Sequence, residues 1–284
     1  EQVAKSTSEA NQLKGDIAEL SGTKEGLKTE CGALERTIKS LLPSVPGAMA
    51  AKSDLSELWV PSITSAPDKD SYKPSSESDA LRNVKDYLRS SNLYFSNRVI
   101  DAFHTSLKVA NETPLLVLAG ISGTGKSLLP MRYAEAMGFH FLPVPVQPRW
   151  DGPQDLLGFF NHLEGKYKAT DLSRALVQFD PINERDWYDD ILKNHTLNDQ
   201  MLIVLLDEMN LARVEYYFSE FLSRLESRRE ISDIKNAVER QSAEIMMEIG
   251  GAAKDANAGR VFVAGNVMFI GTMNEDESTL ALSD

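Results

Sequence analysis

The sequence predicts an α/β fold built on a parallel sheet, and three segments carry the prediction. Leu115-Leu116-Val117-Leu118-Ala119 runs into Gly120-Ile121-Ser122-Gly123-Thr124-Gly125-Lys126-Ser127 and then into a helix-like stretch, Leu128 to Met137. Met201 to Leu206 is an unbroken apolar run that ends in Asp207-Glu208, and Val267 to Thr272 is a third strand candidate, ending in Met273-Asn274. Uninterrupted apolar runs of this length suit strands buried on both faces. All three place polar residues at strand C-termini, where open α/β sheets bind their ligands.

Along the chain, Leu13, Ile17, Leu20, Lys24, Leu27, Cys31, Leu34, Ile38 and Leu41 are spaced by alternating fours and threes. That spacing predicts a coiled-coil segment over 1–42 whose seam docks a partner through 10–41. Gly15, Gly22, Gly26 and Gly32 weaken this helix by about 1 kcal/mol each relative to alanine. One amphipathic helix packed on its own domain is the alternative. From 43 to 80 the composition turns to Pro, Ser, Ala and Asp, which predicts a linker that Leu55, Leu58, Trp59 and Val60 could pin to a surface. Two helices follow, Leu81 to Arg89 and Asn97 to Val109, and 81–284 reads as the main domain.

The glycine-rich octet fits G-x-x-x-x-G-K-[ST], a loop whose backbone N–H groups converge on phosphate oxygens at a helix N-terminus. Gly120, Ser122, Gly123, Thr124, Gly125, Lys126, Ser127 and Leu128 are the candidate nucleotide-binding residues. Lys126 is expected to reach the β- and γ-phosphates, and Ser127 to offer its hydroxyl to Mg²⁺. Asp207 is expected to hold the Mg²⁺ shell through water, and Glu208 to polarise the attacking water. Asn274 is expected to bind that water and sense the γ-phosphate. An acidic turn after a strand is common on its own; the phosphate loop upstream gives the pair its meaning.

Farther on, Val214 to Arg229 reads as a helix with Arg224, Arg228 and Arg229 on a solvated face. Ile231, Ile234, Val238, Ile245, Met246 and Ile249 have approximate helical spacing, with Gly250-Gly251 as a stop. Met246 and Met247 read as packing residues.

The chain has 284 residues, 42% apolar and 25% charged, enough for one large core. A formal charge of −12 disfavours general nucleic-acid binding, which rests on Lys and Arg neutralising phosphates. The single Cys31 excludes an internal disulfide framework, and no apolar run is long enough to span a membrane, so a cytoplasmic location is expected. The absence of an initiator Met and the end at Asp284 read as a fragment. His104, His140, His162 and His195 form no metal spacing, Ser122 lies in no nucleophile elbow, and no nuclease carboxylate cluster is visible.

From about Asn97 to Asp284 the chain resembles the AAA+ NTPases, and within them the McrB-like branch. The motifs are G-I-S-G-T-G-K-S, M-L-I-V-L-L-D-E-M-N-L-A-R and G-T-M-N-E-D-E-S-T, with Pro148-Arg149-Trp150-Asp151 to Gly158 also similar. The resemblance implies a three-layer P-loop sandwich and a ring, often a hexamer, with ATP or GTP between subunits and Mg²⁺-dependent hydrolysis driving a motor. It further implies a separate nuclease partner, with DNA engaged indirectly. An arginine finger and a helical lid would lie past Asp284, so hydrolysis by this fragment alone is expected to be poor. Arg213 is a candidate for reaching a neighbouring subunit's site, with a surface salt bridge as the alternative. The segment 231–259 falls where the family often places loops that face the pore or a partner. The branch carries Asn-x-x-Asp after its sensor strand, whereas this chain has Asn274-Glu275-Asp276, so nucleotide preference does not carry over. The competing functions are a protein-remodelling chaperone ATPase, a chromosome-organising coiled-coil ATPase and a nucleotide-binding scaffold. The L-S-G-G signature expected of the second is absent.

Overall fold

The computed structural model describes residues 54–64, 74–181, 197, 200–250 and 259–275, all within the unit Lys52–Asp284. The heptad segment 10–41, Asp276 and most of the Pro/Ser-rich stretch lie outside the described residues.

Helices α1 (Glu77–Ser90) and α2 (Asn97–Lys108) lead into β1 (Leu115–Gly120), α3 (Leu128–Met137) and β2 (His140–Pro145). Then come α4 (Pro153–Leu157), β3 (Gly158–Asn161), β4 (Lys166–Ala169), α5 (Asp171–Phe179) and β5 (Leu202–Asp207). The chain continues through α6 (Val214–Tyr217), α7 (Ser219–Ser227), α8 (Ala237–Arg240), β6 (Glu244–Met246), β7 (Arg260–Phe262) and β8 (Val267–Asn274).

Four strands form one parallel sheet in the order β1-β8-β5-β2. Its layers follow from the two-residue period of a strand. Ile203 and Leu205 of β5, with Met268 and Ile270 of β8, face a cluster built from Val84, Leu88, Ile100, Phe103, Leu129 and Tyr133 of α1, α2 and α3. Leu202, Val204, Leu206, Val267 and Phe269 face the opposite side, against Leu172 and Leu176 of α5 and Phe221 and Leu225 of α7. Helices therefore cover both faces, giving the expected three-layer α/β sandwich. Pro143 and Pro145 are tolerated in β2 because, among the described residues, that strand pairs on one side only.

Helix α1 starts four residues earlier than its apolar pattern predicts, because Ser76 caps it by accepting from Asp79 N–H. Ser96 caps α2 in the same way. Part of the presumed linker belongs to the domain: Leu58 and Ile63 are buried. Gln178 accepts from Ser62 and Ile63 N–H and donates to Ile63 O, while Asp54 pairs in parallel with the β3–β4 hairpin at Lys166. Val60 stays exposed.

Three expectations are corrected. The single helix over Val214–Arg229 is two helices that meet at Phe218, whose backbone leaves helical geometry there at φ −122°. The helix expected over 231–249 is replaced by the short α8 at Ala237–Arg240, beyond which lies the β6–β7 hairpin. Ile245, Met247 and Ile249 are buried while Met246 and Glu248 point outward, so the governing period is two, with Met247 packing and Met246 exposed. Gly250 is no helix stop: it adopts φ +59° against the Phe160 ring, where a Cβ has no room.

Arg228 is the third correction, since it is buried rather than solvated. Its guanidinium donates to Ala110 O at 2.9 Å, Ala264 O at 3.2 Å and Val267 O at 3.4 Å, tying the lead-in to β1 to the loop before β8. A guanidinium fork offers five donors, which suits three converging carbonyls. Arg224 donates to Ser242 O, and Arg229 pairs with Glu112 at the surface. A second buried charged group anchors the β6–β7 hairpin: Arg240 bridges Asp180 at 2.9 Å and Glu244 at 2.6 Å, and Asp180 also accepts from Phe262 N–H at 2.8 Å.

Candidate nucleotide site

The strand period that sorts the core also assembles the site. Asp207 continues the Ile203–Leu205 face of β5, and Thr272 and Asn274 continue the Met268–Ile270 face of β8. That face is covered by α3, and the residue before α3 is Ser127. Because β8 lies between β1 and β5, Gly120 at the end of β1 is in register with Asn274.

In the glycine loop, Gly120, Gly123 and Gly125 have φ of +148°, +79° and +85°, backbone that side-chain-bearing residues rarely adopt. Positive-φ residues spaced within a tight turn let neighbouring backbone N–H groups face one concavity, as in anion-binding nests. A Cβ at Gly125 would also strike the ring of Phe95. Lys126 Nζ donates to Gly120 O at 2.9 Å and Ile121 O at 2.7 Å, so the loop's own carbonyls hold the ammonium over it. Thr124 Oγ1 donates to Ile121 O at 2.9 Å. Ser122 is exposed, and Leu128 opens α3.

Below the loop, Ser127 Oγ donates to Asp207 Oδ1 at 2.6 Å. Thr272 Oγ1 donates to the same oxygen at 2.7 Å and accepts from Glu208 N–H at 2.8 Å. Asn274 Nδ2 donates to Glu208 Oε1 at 3.2 Å, and Asn210 Nδ2 donates to Asn274 O at 3.0 Å. Glu208 is in the left-handed region at φ 55°, ψ 48°. Such a conformation is uncommon for a residue with a long side chain and costs on the order of 1–3 kcal/mol. The structure therefore brings Ser127, Asp207, Glu208 and Asn274 into one hydrogen-bonded cluster beside Lys126.

Arg213 stands apart from this cluster. It is exposed, donates to Tyr216 Oη at 3.0 Å and places its guanidinium 5.5 Å from that ring's centroid. Among the described residues no three His, Cys, Asp or Glu side chains group as a metal site. The Ser127 hydroxyl and Asp207 carboxylate supply a pair of oxygens, a donor set that fits Mg²⁺ with most of its waters retained.

Three neighbours escaped the sequence reading. Thr272 was legible in principle, because it lies two residues before Asn274 on the same strand face. Asn210 sits within the D-E-M-N run but had no partner until β8 was placed. Phe95 gave no signal, since its approach to Gly125 is set by how the α1–α2 loop packs.

A parallel sheet carrying a glycine-rich loop after β1 and an acidic pair at the C-terminal end of β5 defines the P-loop α/β class. The chain belongs to the AAA domain family, dynein-related subfamily, whose model matches residues 115–283. No curated protein matches the chain significantly.

Proposed function

We propose that this AAA domain is a Mg²⁺-dependent ATP or GTP hydrolase that works as one subunit of a ring-forming motor in a McrB-like system. The observation that supports it best is the convergence of Ser127, Asp207, Glu208 and Asn274 beside the glycine loop. In this reading the loop's N–H groups and Lys126 bind the phosphates, Lys126 exchanging its two carbonyl partners for phosphate oxygens. Ser127 and Asp207 hold the Mg²⁺, which when bound neutralises charge developing on the phosphates. Glu208 takes the proton from the attacking water, and Asn274, already at its carboxylate, orients that water. Arg213 acts toward a neighbouring subunit, and the heptad segment 10–41 docks a partner. A separate nuclease subunit would perform any DNA cleavage.

A second reading, protein remodelling, is favoured by the hairpin surfaces. Phe159, Leu163 and Met246 are exposed on β3–β4 and β6–β7, beside Glu164 and Glu248. Apolar side chains among carboxylates suit a polypeptide better than a phosphate backbone.

The test uses the complete protein. Steady-state turnover of ATP and GTP with Mg²⁺ should be measurable and lost in Glu208→Gln, and nucleotide should drive assembly in sedimentation. Absence of both turnover and nucleotide binding would sink the hydrolase reading. Nucleotide-stimulated DNA cleavage with a nuclease partner supports the McrB-like role, whereas a protein client without any DNA effect supports remodelling.

A further inference from the structure

Thr272 is 1% exposed, and its hydroxyl stands between Asp207, which ends β5, and Glu208, which follows it. Oγ1 donates to Asp207 Oδ1 at 2.7 Å and accepts from the Glu208 backbone N–H at 2.8 Å. Both bonds have consequences. The first, together with Ser127, fixes the rotamer of Asp207 from two sides. The second holds the peptide that enters the left-handed turn at Glu208, a conformation the side chain disfavours and that persists only where its surroundings impose it. An apolar residue of the same shape fills the strand position equally well but makes neither bond. Asn274, two residues farther along β8, contacts the Glu208 carboxylate instead of its backbone, so the two contacts act separately.

We infer that Thr272 is a positioning residue for hydrolysis, through which strand β8 sets the Asp207 rotamer and the direction of Glu208 together. The inference rests on the hydrolase reading above, and it predicts a defect in turnover rather than in nucleotide binding. Thr272 itself exchanges no proton with substrate.

The experiment compares wild type, Thr272→Val and Thr272→Ser in the complete protein, with Glu208→Gln as reference. Thr272→Val is expected to lower kcat about tenfold or more, the worth of a hydrogen bond to a charged group, with KM and nucleotide affinity changed less than about threefold. Thr272→Ser, which restores the hydroxyl, is expected to return kcat to within about threefold of wild type. Without nucleotide, backbone hydrogen exchange in a peptide spanning Asp207 to Leu211 should quicken in Thr272→Val and slow again in Thr272→Ser. If Thr272→Val does not fold, Thr272→Ala reads the same quantities. Unchanged kcat and exchange in the variant lacking the hydroxyl overturn the inference, as does a folded Thr272→Ser with the full defect. A wild type that neither binds nor hydrolyses nucleotide overturns the hydrolase reading instead, and the exchange comparison then decides whether Thr272 positions the turn.

Discussion

Ser127 Oγ lies 2.6 Å from Asp207 Oδ1, joining the end of the glycine loop to the end of β5 across 80 residues of sequence. The contact exists because α3 covers the face of the sheet on which Asp207 emerges. It supplies the oxygen pair on which the metal assignment depends.

Lys126→Ala should weaken nucleotide binding by at least about tenfold, the order expected for losing one charge-assisted contact to phosphate. The ammonium bonds only to loop carbonyls in the described contacts, so the melting temperature should move little. Titration with a fluorescent ATP or GTP analogue, beside a thermal melt, separates the two effects. Unchanged affinity would remove Lys126 from the phosphate site.

Glu208→Gln should lower kcat by about 100-fold or more, because an amide cannot take the proton of the attacking water. Binding should persist. Glu208→Gly should lose the same activity yet gain on the order of 1 kcal/mol of stability by relaxing the left-handed backbone, offset in part by the flexibility of glycine when unfolded. Turnover assays and urea melts check both variants.

Arg228→Met should cost about 2 kcal/mol, since the Ala110, Ala264 and Val267 carbonyls lose a buried donor while the cost of burying a charge is relieved. Burial already pushes the Arg228 pKa below its ordinary value. A urea denaturation midpoint equal to wild type would show that other donors reach these carbonyls.

Burial also pushes the His140 pKa below its ordinary value of 6.5, against the opposing effect of its hydrogen bond to Gln200. The folded chain therefore takes up this proton less readily than the unfolded chain. The contribution is fully present above about pH 6.5 and declines as pH falls toward the lowered folded value. Denaturation midpoints measured at about pH 7.5 and 5.5 should drop more for wild type than for His140→Asn. Equal drops would place the acid sensitivity elsewhere.

Much of the site was readable because its residues follow buried strands at once. An apolar run fixes a strand, and the polar residue after it must emerge at the C-terminal end; this located Asp207, Glu208 and Asn274. The reading failed where two periods compete. Ile245, Met246 and Ile249 fit a helical spacing as well as Ile245, Met247 and Ile249 fit alternation, and only pairing with Arg260–Phe262 decides for the strand. Arg228 looked like any surface arginine, because carbonyls from two distant loops leave no local trace in the sequence.

The sequence by itself determined the glycine loop at 120–127, the strands that flank it and the acidic pair, since backbone sterics and strand periodicity act over a few residues. The tertiary structure alone decided the order β1-β8-β5-β2, and with it the seating of Thr272 between Asp207 and Glu208. That order is settled by packing helices onto both faces of the sheet, and such contacts span stretches of chain that no local pattern links.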